Sequence, residues 1–390
     1  MTYDVVIIGG GIHGAGVAQA AAAHGYSVLL LEKNDIADGT SSKSSKLIHG
    51  GLRYLESGQF SLVKECLYER QLLLKNAPHL VSLKPFIIPV YSDTSRGSMK
   101  IRVGLTLYSL LNGFKRSGQF QSISRKKWAD FDGLNTNALQ SVFQYWDAQT
   151  NDRLLTQAVI KSAENFNAVV KKNAEFLGAK IQNDNWVVRY RVHSREHEAT
   201  AKVVINAAGP WVNAVNDRIS LAMEKIPVDL VQGTHIILKG ETTKGIYYLE
   251  ALKDKRAIFV MPWYGDTMVG TTELTYTGDP DKVYATDDEI NYLTDTVKHY
   301  FPKYASLNKS DIVNSFAGLR VLPADNGSAF SRSRETIIHE DKKNTPQLFS
   351  IYGGKLTAYR AAAEKVIRQI EHYLPQCRVR GDTKKIKLPE

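Results

Sequence analysis

Asp4-Val5-Val6-Ile7-Ile8-Gly9-Gly10-Gly11-Ile12-His13-Gly14 is the stretch on which the fold turns. Asp4 to Ile8 form a nearly continuous apolar run, the pattern of a strand buried on both faces. The glycines follow at once, and an alanine-rich segment from about Ile12 to His24 reads as a helix that Gly25 stops. Ser27 to Leu31 is the next buried strand, ending at Glu32. Strand, glycine turn, helix and strand make one βαβ unit, the context that G-x-G-x-x-G requires. Gly9 permits the tight turn, Gly11 lets backbone approach a pyrophosphate, and Gly14 lets helix and strand pack closely. The helix start then offers unpaired N–H groups to negative charge. Glu32, about twenty residues on, is placed for ribose hydroxyls and disfavours a 2′-phosphate.

Around this unit lie 390 residues, enough for two ordinary domains. Apolar content of 43% and charged content of 23% are those of a soluble globular chain. No apolar run reaches the roughly 18 residues of a membrane-spanning helix. The chain opens straight into a strand without a basic leader, so no signal peptide is expected. Two distant cysteines, Cys66 and Cys377, give neither a disulfide framework nor a metal-ligand spacing; inert thiols in a reducing cytoplasm, and no metal, are expected. The net charge of +10 suits an anionic substrate or an anionic lipid surface. Without zinc-finger or RRM-like motifs, nucleic acid is not expected.

Further along, residues 60–77 read as an amphipathic helix. Residues 96–127 carry eight Lys and Arg and no acid, around the apolar segment Val103 to Leu111. They read either as a solvated face or as an amphipathic segment for anionic lipid. Strands near 168–206 end in Asn206-Ala207-Ala208-Gly209-Pro210-Trp211. The region 225–275 is strand-rich, and Gly353-Gly354-Lys355-Leu356-Thr357 opens a last helix whose positive end suits a developing anion. Residues 378–390 are basic and expected to be loose. Because nucleotide-binding signals recur at the start, near 202–211 and near 353–357, one discontinuous domain is expected. The expected limits are 1–80, 140–220 and 315–375 for a Rossmann-like nucleotide domain, 81–139 and 221–314 for a sheet-rich cap, and 376–390 for the tail.

IIGGGIHGAGVAQAAAAHGYSVLLLEK, TSSKSSKLIHGGLRYLE, NAAGPWV, GTHIIL, GTTEL and YGGKLTAYR together resemble the FAD-dependent, aerobic type of glycerol-3-phosphate dehydrogenase, from residue 1 to about 375. The serine-rich run is the most specific of these. The resemblance implies an α/β chain, α+β overall, of the D-amino-acid-oxidase-like superfamily, oxidising sn-glycerol 3-phosphate to dihydroxyacetone phosphate. It implies non-covalent FAD held by Gly9, Gly11, Ile12, His13 and Gly14, then Glu32 and Lys33. Thr40, Ser41, Ser42, Lys46, Leu47, His49, Gly50 and Gly51 follow, then Val170, Ala208, Gly209, Trp211, Gly318, Gly354, Lys355, Leu356 and Thr357. It also implies quinone as electron acceptor and peripheral attachment to the cytoplasmic membrane face, with a homodimer as a candidate assembly. Family members extend into a helical C-terminal domain, so a short form is expected here; His13 stands where the family has Asn.

Oxidising a phosphorylated secondary alcohol needs cations for the phosphate and a base for the hydroxyl proton. Arginine suits the phosphate through its planar fork. Arg53 and Arg320 match family arginines, and Arg332 and Arg334 compete for a third. His235 and His49 are the alternatives for the base. Lys355, Tyr54 and Thr271 are expected close by. Two rival readings stand: a glycine-oxidase-like or 2-hydroxyglutarate-dehydrogenase-like enzyme, and a non-catalytic nucleotide- or lipid-binding paralogue.

Overall fold

The apolar run after the N-terminus becomes β1 (Thr2–Ile8), in which Val5, Val6 and Ile7 are fully buried. It lies parallel between β2 (Val28–Leu31) and strand Arg195–Asn206. Strands Gln347–Gly353 and Val169–Lys171 extend this sheet in parallel on either side, and Thr336–Glu340 closes one edge antiparallel. Parallel strands need crossover helices. The first is α1 (Ile12–Ala23), whose alanines are fully buried because helices Asp152–Asn165 and Tyr359–Ile370 close over it. These elements come from a computed structural model, which describes residues 2–113, 115–221, 223–324, 335–341 and 347–390.

A second, larger sheet runs 274–276, 228–238, 266–270, 257–263, 246–250, 81–91, 139–150 and 47–48, with 312–323 paired along 228–238. Two domain limits differ from those expected. Leu139–Thr150 pairs along the whole of Val81–Tyr91, and Ile312–Pro323 along Val228–Leu238, so both strands belong to this second sheet. An apolar strand run does not say which sheet takes it; the distant partner decides.

The tail is also not loose. Leu388 is buried and its N–H donates to the Asn76 carbonyl at 2.8 Å, while the Arg380 N–H reaches Ala23 at 2.7 Å. The buried Arg360 guanidinium pairs with Glu69 and donates to Thr383. Its lysines mark solvent preference, but composition cannot register partners for the few groups between them.

Within the basic stretch, helix Ser98–Leu111 buries Ile101, Leu105 and Tyr108 and exposes Met99 (74%), Val103 (59%) and Leu110 (54%). Among the described residues, no helix is long and apolar enough to cross a membrane.

Candidate active site

A cleft of about 700 Å³ lies between the two sheets. Its first end is built from backbone. Gly9 turns with φ +107°, and a Cβ on Gly14 would stand 1.9 Å from the Gly9 carbonyl oxygen, so helix and strand approach as closely as the spacing requires. The Ile12 N–H at the start of α1 donates to Ser41 Oγ at 2.8 Å. Glu32 accepts from the N–H groups of Gly10 (2.6 Å) and Asn34 (2.8 Å), and burial raises its pKa above the usual carboxylate value. Its two oxygens retain lone pairs for ribose hydroxyls. Lys33 sits 4.4 Å above the Trp211 ring and pairs with Asp281 of the second sheet's side at 2.6 Å.

Gly9, Gly11, Ile12, His13, Glu32, Lys33, Thr40, Ser41, Leu47, His49 and Gly51 all line this cleft. So do Ala208, Gly209, Trp211, Gly318, Gly354, Lys355, Leu356 and Thr357. The Trp211 indole N–H is buried without a partner among the described residues, a donor free to serve a bound group. A backbone cradle, a positive helix end and a carboxylate at the second strand's end fit a dinucleotide such as FAD.

The other end is built from side chains. Arg53, Tyr54, His235, Thr271, Arg320 and Lys355 line it together. The Tyr54 ring holds Lys355 Nζ at 3.6 Å from its centroid and the Arg53 guanidinium at 5.5 Å. Arg320 faces Glu273 at 4.0 Å, and Glu273 also pairs with Arg256 at 3.0 Å. Gly233 makes the convergence possible: a Cβ there would lie 2.6 Å from Thr271 Oγ1 and 2.9 Å from an Arg320 nitrogen. His235, 1% exposed, stacks on Phe316 with centroids 4.9 Å apart. Its Nε2 lies 2.9 Å from Ser45 Oγ. Burial first, then Arg320 and Lys46, hold the imidazole pKa well below its ordinary value, so it is neutral at pH 7. His49 donates its backbone N–H to Thr357 Oγ1 at 3.2 Å.

Some expected residues stand elsewhere. Lys46 is buried against Asp152 (2.7 Å) and the Ser42 carbonyl (2.6 Å), so it holds the serine-rich loop and does not line the cleft. Ser42, Gly14, Gly50 and Val170 also lie outside the lining. Gly50 donates instead to the Tyr108 hydroxyl at 2.8 Å, and Val170 pairs with Leu30. Arg332 and Arg334 fall outside the described residues. Cys66 is buried 4.0 Å from Lys355 Nζ, and burial pushes its thiol up to about 11, which suits an inert group. Ser45, Arg256 and Glu273 were not singled out from sequence. A lone serine within a run of serines, or a charge beside a strand, carries no signal until the strands are paired.

Fold and site together define a flavin-type oxidoreductase. The family described as FAD dependent oxidoreductase matches residues 4–360, and the chain belongs to it; FAD is its cofactor. The chain is 37% identical over 383 residues to the D-erythritol 1-phosphate dehydrogenase of Brucella abortus, covering 96% of this chain and 75% of that one. It is 36% identical over 384 residues to the aerobic glycerol-3-phosphate dehydrogenase of Escherichia coli, covering 95% and 74%. The structure of a glycerol-3-phosphate dehydrogenase from Bacillus halodurans complexed with FAD superposes with a TM-score of 0.77 at 25% identity, covering all of this chain and 68% of that one.

Proposed function

We propose that this enzyme oxidises sn-glycerol 3-phosphate to dihydroxyacetone phosphate, the second sheet capping the substrate over the FAD domain. The observation that carries this reading is the convergence of Arg53, Arg320 and Lys355 with a neutral His235 in one cleft. The cations bind the dianionic phosphate through charge-assisted hydrogen bonds. Thr271 and Tyr54 shape the wall that orients the carbinol, and His235 accepts the hydroxyl proton, in preference to His49. A neutral imidazole is competent for that step, whereas an imidazolium is not. Bound FAD supplies the two-electron acceptor for the hydride. Mixing the purified yellow protein with glycerol 3-phosphate without oxygen tests this: the flavin absorbance is expected to bleach, and a spectrum that stays oxidised sinks it.

A second reading is favoured by the 37% identity to a D-erythritol 1-phosphate dehydrogenase: a longer phosphorylated polyol gripped by the same cations. The ratio of kcat/KM for D-erythritol 1-phosphate and glycerol 3-phosphate decides between them. Glycine, sarcosine and 2-hydroxyglutarate, assayed alongside, are expected to leave the flavin oxidised.

We further propose that the enzyme sits peripherally on the cytoplasmic membrane face, as a homodimer, and passes its electrons to quinone. Helix Ser98–Leu111 supports the membrane contact, with Met99, Val103 and Leu110 outward beside Lys100. Each basic group near anionic lipid contributes about 1 kcal/mol. Flotation with anionic liposomes at low salt and release at high salt are expected; failure to float at low salt removes the proposal.

A further inference from the structure

We propose that Ser45 carries the substrate's hydroxyl proton to His235. This rests on the reading of His235 as the base. The ring is held on one face and one edge. Phe316 stacks against it, and a Cβ on Gly270 would stand 2.1 Å from its Cδ2, so that edge lies against the neighbouring strand. Nδ1 is sealed from solvent and has no partner among the described residues. Among the described residues the ring's hydrogen-bond partner is Ser45 Oγ, 2.9 Å from Nε2.

Only Nε2 reaches Ser45, so the tautomer that works here carries its proton on Nδ1 and its lone pair on Nε2. In that tautomer Nε2 accepts from the Ser45 hydroxyl, and a hydroxyl entering the cleft meets the Ser45 oxygen there. Ser45 and His235 both line the cleft that Arg320 and Thr271 share. Serine is too weak an acid to hold the charge, so its two transfers are concerted. The substrate O–H breaks as the Ser45 Oγ–H re-forms, and the original Oγ–H proton moves to Nε2. Bound FAD would supply the acceptor for the C–H electron pair as the carbonyl π bond forms, and the net proton rests on the His235 imidazolium. The order of events follows from charge. Arg320 and Lys46 oppose protonation of His235, and a phosphate dianion beside Arg320 offsets that opposition, so the base strengthens once substrate is bound.

Anaerobic stopped-flow reduction of the FAD-loaded enzyme by glycerol 3-phosphate, from pH 5.5 to 9, tests the relay. Ser45→Ala is expected to reduce its flavin about 100-fold more slowly, with FAD content and substrate affinity retained, a loss typical of a missing proton-transfer group. Ser45→Thr is expected to recover most of that rate. Ser45→Cys decides the matter if the alanine variant sheds FAD. A relaying thiol, with a reference pKa near 8.5, introduces a new break in the alkaline pH profile, which a merely structural residue does not; an unaltered profile overturns the proposal. His235→Asn separates the two layers. If it is slow while Ser45→Ala matches the parent enzyme in rate and pH profile, the relay fails and the base survives. If His235→Asn itself reduces flavin at the parent rate, the base reading fails, and the relay with it.

Discussion

The two ends of the cleft are made of different material. At the dinucleotide end the lining comes from backbone and small residues contiguous in the chain, with the Gly9–Gly11 turn leading directly into α1. At the substrate end they come from side chains on separate elements: Arg53 on the 52–55 turn, His235 on one strand, Arg320 on its antiparallel neighbour, Lys355 before the last helix. A site made of backbone fails when volume is added. A site made of side chains fails when charge or a proton acceptor is removed, while its strands remain.

The sharpest way to break that contrast is Gly14→Val. Its Cβ would start 1.9 Å from a carbonyl oxygen that cannot retreat without moving β1. A cost of about 3 kcal/mol or more, the upper range for overpacking, is expected, with loss of FAD on purification. Chemical denaturation and the flavin-to-protein absorbance ratio check it. A stable yellow variant would mean that the turn relaxes more than its geometry allows.

Arg320→Met is expected to behave oppositely. The loss of a charge-assisted hydrogen bond to phosphate is worth about 1.5–3 kcal/mol, or roughly 10- to 150-fold in kcat/KM. FAD content is expected to be unchanged, and unfolding curves close to those of the parent. A variant that loses flavin along with activity would erase the distinction between the ends.

The smallest effect is in pH dependence. His235 is held neutral, so the acid limb of kcat/KM is expected below pH 6.5, with a plateau toward neutrality. Arg320 is one of the causes; removing its positive charge makes the imidazolium less unfavourable, raises the pKa and moves the limb to higher pH. The same shift links to stability. The unfolded imidazole binds its proton near pH 6.5 while the folded one does not, so this group's contribution is present above that pH and is lost as pH falls. Profiles of the parent and Arg320→Met enzymes, measured together, check the sign.

The same contrast explains what was legible beforehand. The βαβ unit was readable because every residue that makes it lies within thirty positions and its spacing has one physical solution. Arg53 and Arg320, proposed as phosphate ligands from a family motif, both line the cleft. The place of Lys46 outside the cleft lining was not legible, because its partner, Asp152, lies 106 residues away. Ser45 escaped notice because its distinction from Ser41, Ser42 and Ser44 is the histidine that strand pairing brings to it. The tail escaped because a lysine-rich composition outweighed Thr383 and Leu388, whose partners belong to other helices.

By itself, the sequence determined the elements that depend on local spacing: the buried strand, the glycine turn, the helix whose N-terminus opens on the cleft, and the surplus of positive charge. Tertiary structure alone decided which strands joined which sheet, which cations turned inward, and which nitrogen of His235 faced a hydroxyl. Local spacing fixes φ, ψ and the direction of neighbouring side chains. Partners hundreds of residues apart are chosen by the whole core closing at once, and no window of sequence contains that information.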